Sequence, residues 1–363
     1  MRTLRRYLYV QIAATSGLVL LLFLGLLFFL DVVNGLSGNA SFGTVLLRVA
    51  LQLPARAYEV LPIATLTGSV YVLAGLAASS EFTVMRMSGL SPQRALRQLL
   101  GLGVVFALLV LALGEFGAPA ASRLAATLQA RARGGQFDTS LRSGVWLRNH
   151  DAHGDQIINV GSVDAGGELH GVHIYVLGDA AQLLRVVSAA RARYAGHGVW
   201  LLRDATSVQL PGPGQPADAL RRQQLAQLDW PTSLTPGMLD VLLLDPLHMP
   251  VVDLWRYVQH LRANGQSAQR DEIELWRKLL YPLSAIVMML LALPFAYLHT
   301  RGGQVSWKVF GGIMLGISFL LVNTLASRVG LLASWPTWLA AALPYALYAS
   351  GALGFFLWRV RYR

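Results

Sequence analysis

The chain has 363 residues, of which 54% are hydrophobic and 13% charged, and a mean hydropathy of +0.48, which is too apolar for a soluble globular protein of this length. The net charge of +11 does not indicate nucleic-acid binding, because the basic residues gather in short tails and loops beside apolar runs, where positive-inside topology accounts for them. Cysteine is absent, which excludes disulfides and thiolate metal sites.

Residues 9–30, 60–78, 99–113, 279–298, 309–325 and 339–358 are the six runs long enough to be spans, for a hydrocarbon core of about 30 Å. The first follows a basic opening, MRTLRRYLYV, and Gly38-Asn-Ala40 resembles a cleavage site. Its apolar core of about twenty residues exceeds the roughly 7–15 of a signal peptide, so a retained span is predicted. The fold class is therefore a polytopic α-helical membrane protein.

Between the second and third runs lies a polar stretch, residues 79–97 (SSEFTVMRMSGLSPQRALR). Glu81, Arg86, Arg94 and Arg97 would each cost roughly 2.5–3.5 kcal/mol at the bilayer centre, so the stretch lies outside the membrane. Phe82 and Met85 are three apart, which predicts a brief amphipathic helix ended by Gly89 and Pro92. Pinned between two spans, such a helix can pass force from a soluble partner to both.

Orientation follows from the short segments. Arg2, Arg5, Arg6, Arg86, Arg94, Arg97, Arg301, Lys308, Arg359, Arg361 and Arg363 fall on one side, against mainly Arg48, Arg56 and Arg328 on the other. Both termini and the 79–97 stretch are thus expected in the cytoplasm. Trp335, Trp338, Trp358 and Tyr362 sit near span ends, as interfacial anchors.

The long outward segment changes texture. Val172, Ile174 and Val176 alternate with Gly171, His173 and Tyr175, and Thr206, Val208 and Leu210 alternate again, the period of half-buried strands. Turn signals at 149–155, 164–167, 178–179, 196–198 and 211–216 predict a β-sandwich or jelly roll of roughly a hundred residues. Helix returns with Leu254, Val258 and Leu261 on one face, stopped by Asn264-Gly265, and a charged helical approach, 271–278, leads into the fourth span. The expected domains are 1–133 (three spans), 134–248 (β domain) and 249–363 (connecting helix and three spans), with no internal repeat.

Motifs for chemistry are missing. No G-x-x-x-x-G-K-[ST] loop precedes Lys278 or Lys308, and no G-x-S-x-G or H-E-x-x-H occurs, so the chain is expected not to be an enzyme and to carry no nucleotide site. Asp31, Glu59 and Glu115 fall at outer span ends, where helix-end charge explains them better than a proton relay. His170 and His173 would point to opposite faces of a strand and so cannot chelate one ion together, while His150 with His153 lies in a predicted loop and stays open as a pair; on balance no metal is expected. Gly17 and Gly25 in span one, and Gly312 and Gly316 in span five, permit close helix approach, as simple packing or as a moving seam. Pro294 and Pro344 are expected to bend spans four and six.

Several motifs carry a resemblance that runs nearly end to end. They are Ser80-Glu-Phe-Thr-Val-Met-Arg-Met-Ser-Gly89, Gly114-Glu-Phe-Gly-Ala-Pro119, Asn264-Gly-Gln266, Trp276-Arg-Lys278 followed by Pro282, and Ala292-Leu-Pro-Phe295. With three spans on each side of a β domain, the chain resembles the LptF/LptG (YjgP/YjgQ) permeases of the lipopolysaccharide exporter, its LptG members most. The resemblance implies an inner-membrane ABC transporter permease paired with an LptF-like permease on an LptB-like ATPase dimer, which binds the ATP and Mg. Lipopolysaccharide would pass through the jelly rolls to an LptC-like single-span protein and an LptA-like periplasmic bridge. It implies that Glu81, Phe82, Met85 and Arg86 enter the ATPase groove, and that spans one and five form lateral gates, where Gly17, Gly25, Gly312 and Gly316 would pack. Relatives often place lysines near the outer end of span one to hold lipid A phosphates, whereas here that region reads Phe28-Phe-Leu-Asp31-Val-Val-Asn-Gly35. Arg48, Arg56, Arg123, Arg131, Arg133 and Arg328 are the alternative candidates, as phosphate forks or as snorkelling surface charge. An envelope-lipid enzyme and a membrane scaffold are the competing classes. The first lacks a nucleophile or metal constellation, and the second predicts that residues 79–97 tolerate charge changes.

Overall fold

Backbone groups in hydrocarbon must be satisfied within their own segment, so long apolar runs become helices. The computed structural model describes residues 2–36, 41–132, 145–151, 154–164, 167–178, 182–211, 220–232, 249–263, 267–297 and 305–361. The N-terminal run of helices is α1 (Arg2–Leu36), α2 (Phe42–Ala78), α3 (Glu81–Met87), α4 (Pro92–Ala112), one π-helical turn (Leu113–Gly117) and α5 (Ala118–Ala132). After the strands come α6 (Val251–Ala263), α7 (Gln269–Leu280), α8 (Leu283–Ala292) with a 3₁₀ turn (Leu293–Ala296), α9 (Val305–Leu332) and α10 (Thr337–Arg361).

Among the described residues five helical stretches are long and apolar enough to cross a membrane, and a sixth follows if α7 and α8, bent by 56°, count as one span. The bend falls at Tyr281 and Pro282, where proline removes a donor, and not at the expected Pro294, which opens the 3₁₀ turn. Pro344 stays inside an unbroken α10, and Pro54 and Pro62 inside α2. The third span outruns its apolar stretch because α4 continues through the π turn into α5. Within that turn a Cβ on Gly114 would lie 2.5 Å from the Tyr58 ring, so only glycine lets the two helices close here.

Two compact units result: Met1–Ala121 with Gln269–Arg363, and Ser122–Ala268. The first is built around α2. Leu61, Leu66, Val70 and Leu73 of that helix share a core with Leu99 and Leu102 of α4, Met288 and Met289 of α8, and Phe319 of α9.

The second unit holds β1 (Val145–Asp151), β2 (Gly154–Val163), β3 (Leu169–Leu177), β4 (Leu183–Gly196), β5 (Val199–Gln209) and β6 (Arg221–Pro231). A β domain stands where a sandwich or jelly roll is expected, and its described strands form one six-stranded antiparallel meander in sequence order, with no Greek-key crossover among the described residues. Alternation places Ile158, Val172, Ile174, Val187, Trp200 and Leu202 on the buried face. Trp230 Nε1 donates to Gln156 Oε1 at 3.0 Å and Asn149 Nδ2 to Thr232 Oγ1 at 3.1 Å, so buried polar bonds join β1 and β2 to the far end of the sheet. In α6 the predicted face, Leu254, Val258 and Leu261, is buried. Its stop at Asn264-Gly265 lies outside the described residues.

Candidate functional site

The predicted helix between the second and third spans is present as α3, and its boundaries follow from local chemistry. Ser80 precedes it with φ 62°, and Gly89 follows at φ 98°, a conformation that costs glycine least. Ser91 then caps α4 by accepting from the Arg94 N–H at 3.4 Å, with Pro92 in the first turn, and the Arg94 guanidinium donates to the Gly89 carbonyl at 3.0 Å. The tether turns the chain back into the third span.

Two faces of α3 do different work. Phe82 (3% exposed) and Met85 (8%) are buried in the span core, and the Phe82 ring meets Tyr297 edge-on at 5.2 Å between centroids. Arg86 lies over the same Tyr297 ring, 5.5 Å from its centroid. Glu81 accepts from Tyr7 Oη of α1 at 3.3 Å and from Ser79 Oγ at 3.1 Å. The outward face instead carries Val84 (63% exposed) and Met87 (86%). This corrects the expectation for Phe82 and Met85. The three-residue apolar spacing marks the face packed on the chain's own spans, so the apolar side chains offered outward are Val84 and Met87.

Beside α3 opens a cleft of about 790 Å³, walled by Tyr7, Gln11 and Thr15 of α1, Tyr71 and Gly75 of α2, Glu81, and Val309 and Phe310 of α9. Above it the outward sides of α1 (Leu18, Leu22, Leu26, Phe29) and α9 (Phe310, Met314, Ile317, Leu321) are exposed and apolar.

The six candidate arginines separate. Arg56 is spent on carboxylates: its Nε and Nη2 donate to Asp31 at 3.1 and 3.2 Å, and its Nη1 to Glu59 at 3.4 Å. Arg123 pairs with Asp253 at 3.1 Å. A guanidinium fork already filled by carboxylates is a poor phosphate site, which counts against Arg56 in this arrangement, whereas Arg123 makes a single such contact among the described residues and stays 54% exposed. Arg48 and Arg328 are exposed on α2 and α9. Arg133 and the Arg131 side chain lie outside the described residues.

The glycines also separate. A Cβ on Gly312 would meet Val70 at 3.1 Å, and one on Gly316 would meet Ile63 and Leu66 at 3.4 Å, so that face packs on α2 of the same chain. Gly17 and Gly25 have nothing within 4 Å. Span one instead makes its close approach through Gly68 of α2, where a Cβ would lie 2.6 Å from the Ser16 backbone. Sequence reading missed Gly68, and the only hint was a glycine amid the small polar residues Thr65, Thr67 and Ser69. It also missed Tyr297, which follows the Ala292-Leu-Pro-Phe295 motif by two residues.

In the β domain, His170 and His173 do not share a ligand. His173 Nδ1 meets Ser188 Oγ at 3.0 Å, while His170 groups with Asp164 and Glu168 in a set with the reach to hold a cation. His153 and the His150 side chain lie outside the described residues. The Asp164 carboxylate is partly engaged already, accepting from the Glu168 N–H at 2.8 Å.

Spans gathered around α2, an inserted antiparallel β domain and a short helix presented between the second and third spans define a polytopic membrane protein of the permease type. The chain belongs to the family described as "Lipopolysaccharide export system permease LptF/LptG", whose model matches residues 4–359. It is 30% identical over 299 residues, 82% of this chain and 81% of the relative, to the lipopolysaccharide export system permease protein LptG of Escherichia coli K12. It is 26% identical over 312 residues, 86% of this chain and 85% of the relative, to the protein of the same name from Haemophilus influenzae.

Proposed function

We propose that the chain is the LptG-type permease subunit of the lipopolysaccharide exporter, drawing lipopolysaccharide from the outer leaflet of the inner membrane and passing it to a periplasmic bridge. A separate LptB-like ATPase dimer supplies the ATP chemistry, with its own nucleotide and magnesium, and an LptF-like permease completes the cavity. The LptC-like and LptA-like components receive the lipid. Both termini and α3 lie in the cytoplasm and the β domain in the periplasm, a topology supported by the distribution of arginines along the short segments.

The observation that carries this reading is α3. A helix of seven residues is too short to be stable alone, yet it is held by Phe82, Met85 and Arg86 while Val84 and Met87 are offered outward. An apolar outward face on an otherwise polar connection suits insertion into a groove of a soluble partner. Exposed aliphatic side chains on α1 and α9 suit walls that meet lipid acyl chains or the second permease. Arg48, Arg123, Arg131, Arg133 and Arg328 are the remaining headgroup candidates.

Replacing Met87 by Glu or Glu81 by Lys is expected to lower co-purification of the ATPase and to abolish complementation of growth, with membrane insertion intact. Full complementation by both variants would overturn the reading. Replacing Arg131 and Arg133 together is expected to weaken photocrosslinking to lipopolysaccharide. Unchanged crosslinking removes them from the headgroup contacts.

A further inference from the structure

We infer that Tyr297 is the positioning residue through which α3 moves the spans, converting displacement of that helix into movement of the bent fourth span and of α10. The inference rests on the reading of α3 as the ATPase-coupled helix. The Tyr297 side chain sits just past the 3₁₀ turn that ends the fourth span, with its N–H bonded to the Pro294 carbonyl at 3.0 Å. It is 3% exposed, and its ring meets Phe82 edge-on at 5.2 Å, the Arg86 guanidinium at 5.5 Å, and Phe356 of α10 edge-on at 5.8 Å.

The links from α3 to Tyr7 and to Tyr297 differ in stiffness. Glu81 and Tyr7 are both exposed and 3.3 Å apart, where water competes for the bond and a displacement of α3 is absorbed locally. The contact at Tyr297 is buried on the apolar side and has a cation over the ring face, so a displacement of α3 there meets packed side chains rather than water. Pushing on Val84 or Met87 therefore acts on Phe82 and Arg86 together, and both bear on one ring. That ring is fixed to the fourth span through its backbone and to α10 through Phe356.

The test uses the whole exporter, reconstituted in proteoliposomes, with ATP hydrolysis and lipopolysaccharide release measured side by side. Tyr297→Leu is expected to keep the ATPase bound and hydrolysing while lipopolysaccharide released per ATP falls by about fivefold, within the range of couplings carried through packed side chains. Tyr297→Phe, which keeps the ring, is expected to restore the ratio. Arg86→Leu is expected to lower it less, and to add little on top of Tyr297→Leu, because the two act through one contact. Phe82→Leu gives the same readout from the other side of the contact should Tyr297→Leu fail to accumulate in the membrane. An unchanged ratio in Tyr297→Leu, or an equal loss in Tyr297→Phe, overturns the relay and leaves the coupling role of α3 standing. An ATPase that never binds the unmodified exporter overturns that role and the relay with it.

Discussion

Helices α1 and α2 cross in one unit and are built on opposite plans. Over its most apolar stretch α1 is 6% buried, whereas α2 is 78% buried. Over that stretch the buried helix is the less apolar of the two. Thr65 donates to the Leu61 carbonyl at 2.8 Å and Ser69 to the Thr65 carbonyl at 2.6 Å, so these two hydroxyls are satisfied within the turns of α2 itself, which leaves the helix able to pack on several neighbours. The leucine-rich α1 leans mainly on α2 and turns Leu18, Leu22 and Phe29 outward. In lipid, apolarity marks what faces away from the protein, and small or self-satisfied residues mark its centre. On this comparison α2 is a fixed post and α1 a wall free to move.

The largest expected effect is at the crossing itself. Gly68→Leu must displace the Ser16 backbone and is expected to lower stability by about 1–3 kcal/mol or more, the range for overpacking a close contact. Gly17→Leu and Gly25→Leu, which have open space around them, are expected to stay within about 0.5 kcal/mol. Thermal melting of the three variants in detergent checks this. Equal losses would mean that α1 is packed on both sides, and the contrast with α2 would fail.

A smaller effect is expected where α9 meets the same post. Gly312→Ala places a methyl 3.1 Å from Val70, a contact that yields only if the valine shifts. Melting is expected to show a loss of about 1 kcal/mol, recovered in part by Val70→Ala in the same chain, since the two sites share one contact. Additive losses would place the strain elsewhere.

Much of this was legible in the sequence. Hydropathy located the spans, charge set the polar stretch apart, and period-two alternation found the β domain, with Val172 and Ile174 buried where predicted. The short helix was legible as well, since Gly89 and Pro92 punctuate it locally. What failed was the direction of its faces. The resemblance assigned Phe82 and Met85 to a partner's groove, whereas amphipathic spacing by itself reports only that one face is buried without naming the neighbour, and Tyr297 is 215 positions from Phe82. The ion pairs of two of the six arginines were hidden for the same reason: nothing local indicates that Asp31 and Asp253 turn toward Arg56 and Arg123. Gly312 and Gly316 stand at a close approach to α2, and which helix fills the space beside a glycine is a tertiary fact.

The smallest expected effect concerns the outer end of the wall. Asp31 of α1 holds Arg56 of α2 at 3.1 Å, with Glu59 at 3.4 Å on the same guanidinium, where the resemblance led to an expectation of lysines. The pair is partly exposed, 36% for Arg56 and 22% for Asp31, so solvent screening leaves it about 0.2–1 kcal/mol. That is too little to matter in a packed core, but α1 has scarcely any core, and a bond at one end of a helix restrains it with leverage. The absence of cysteine permits clean spin labelling at Leu36→Cys on α1 and Leu47→Cys on α2. Asp31→Asn is expected to broaden the distance distribution between the two labels, and raising the salt concentration is expected to broaden it in the parent chain as well. A distribution indifferent to both would show that α1 is held by packing after all, and the wall would be as fixed as the post.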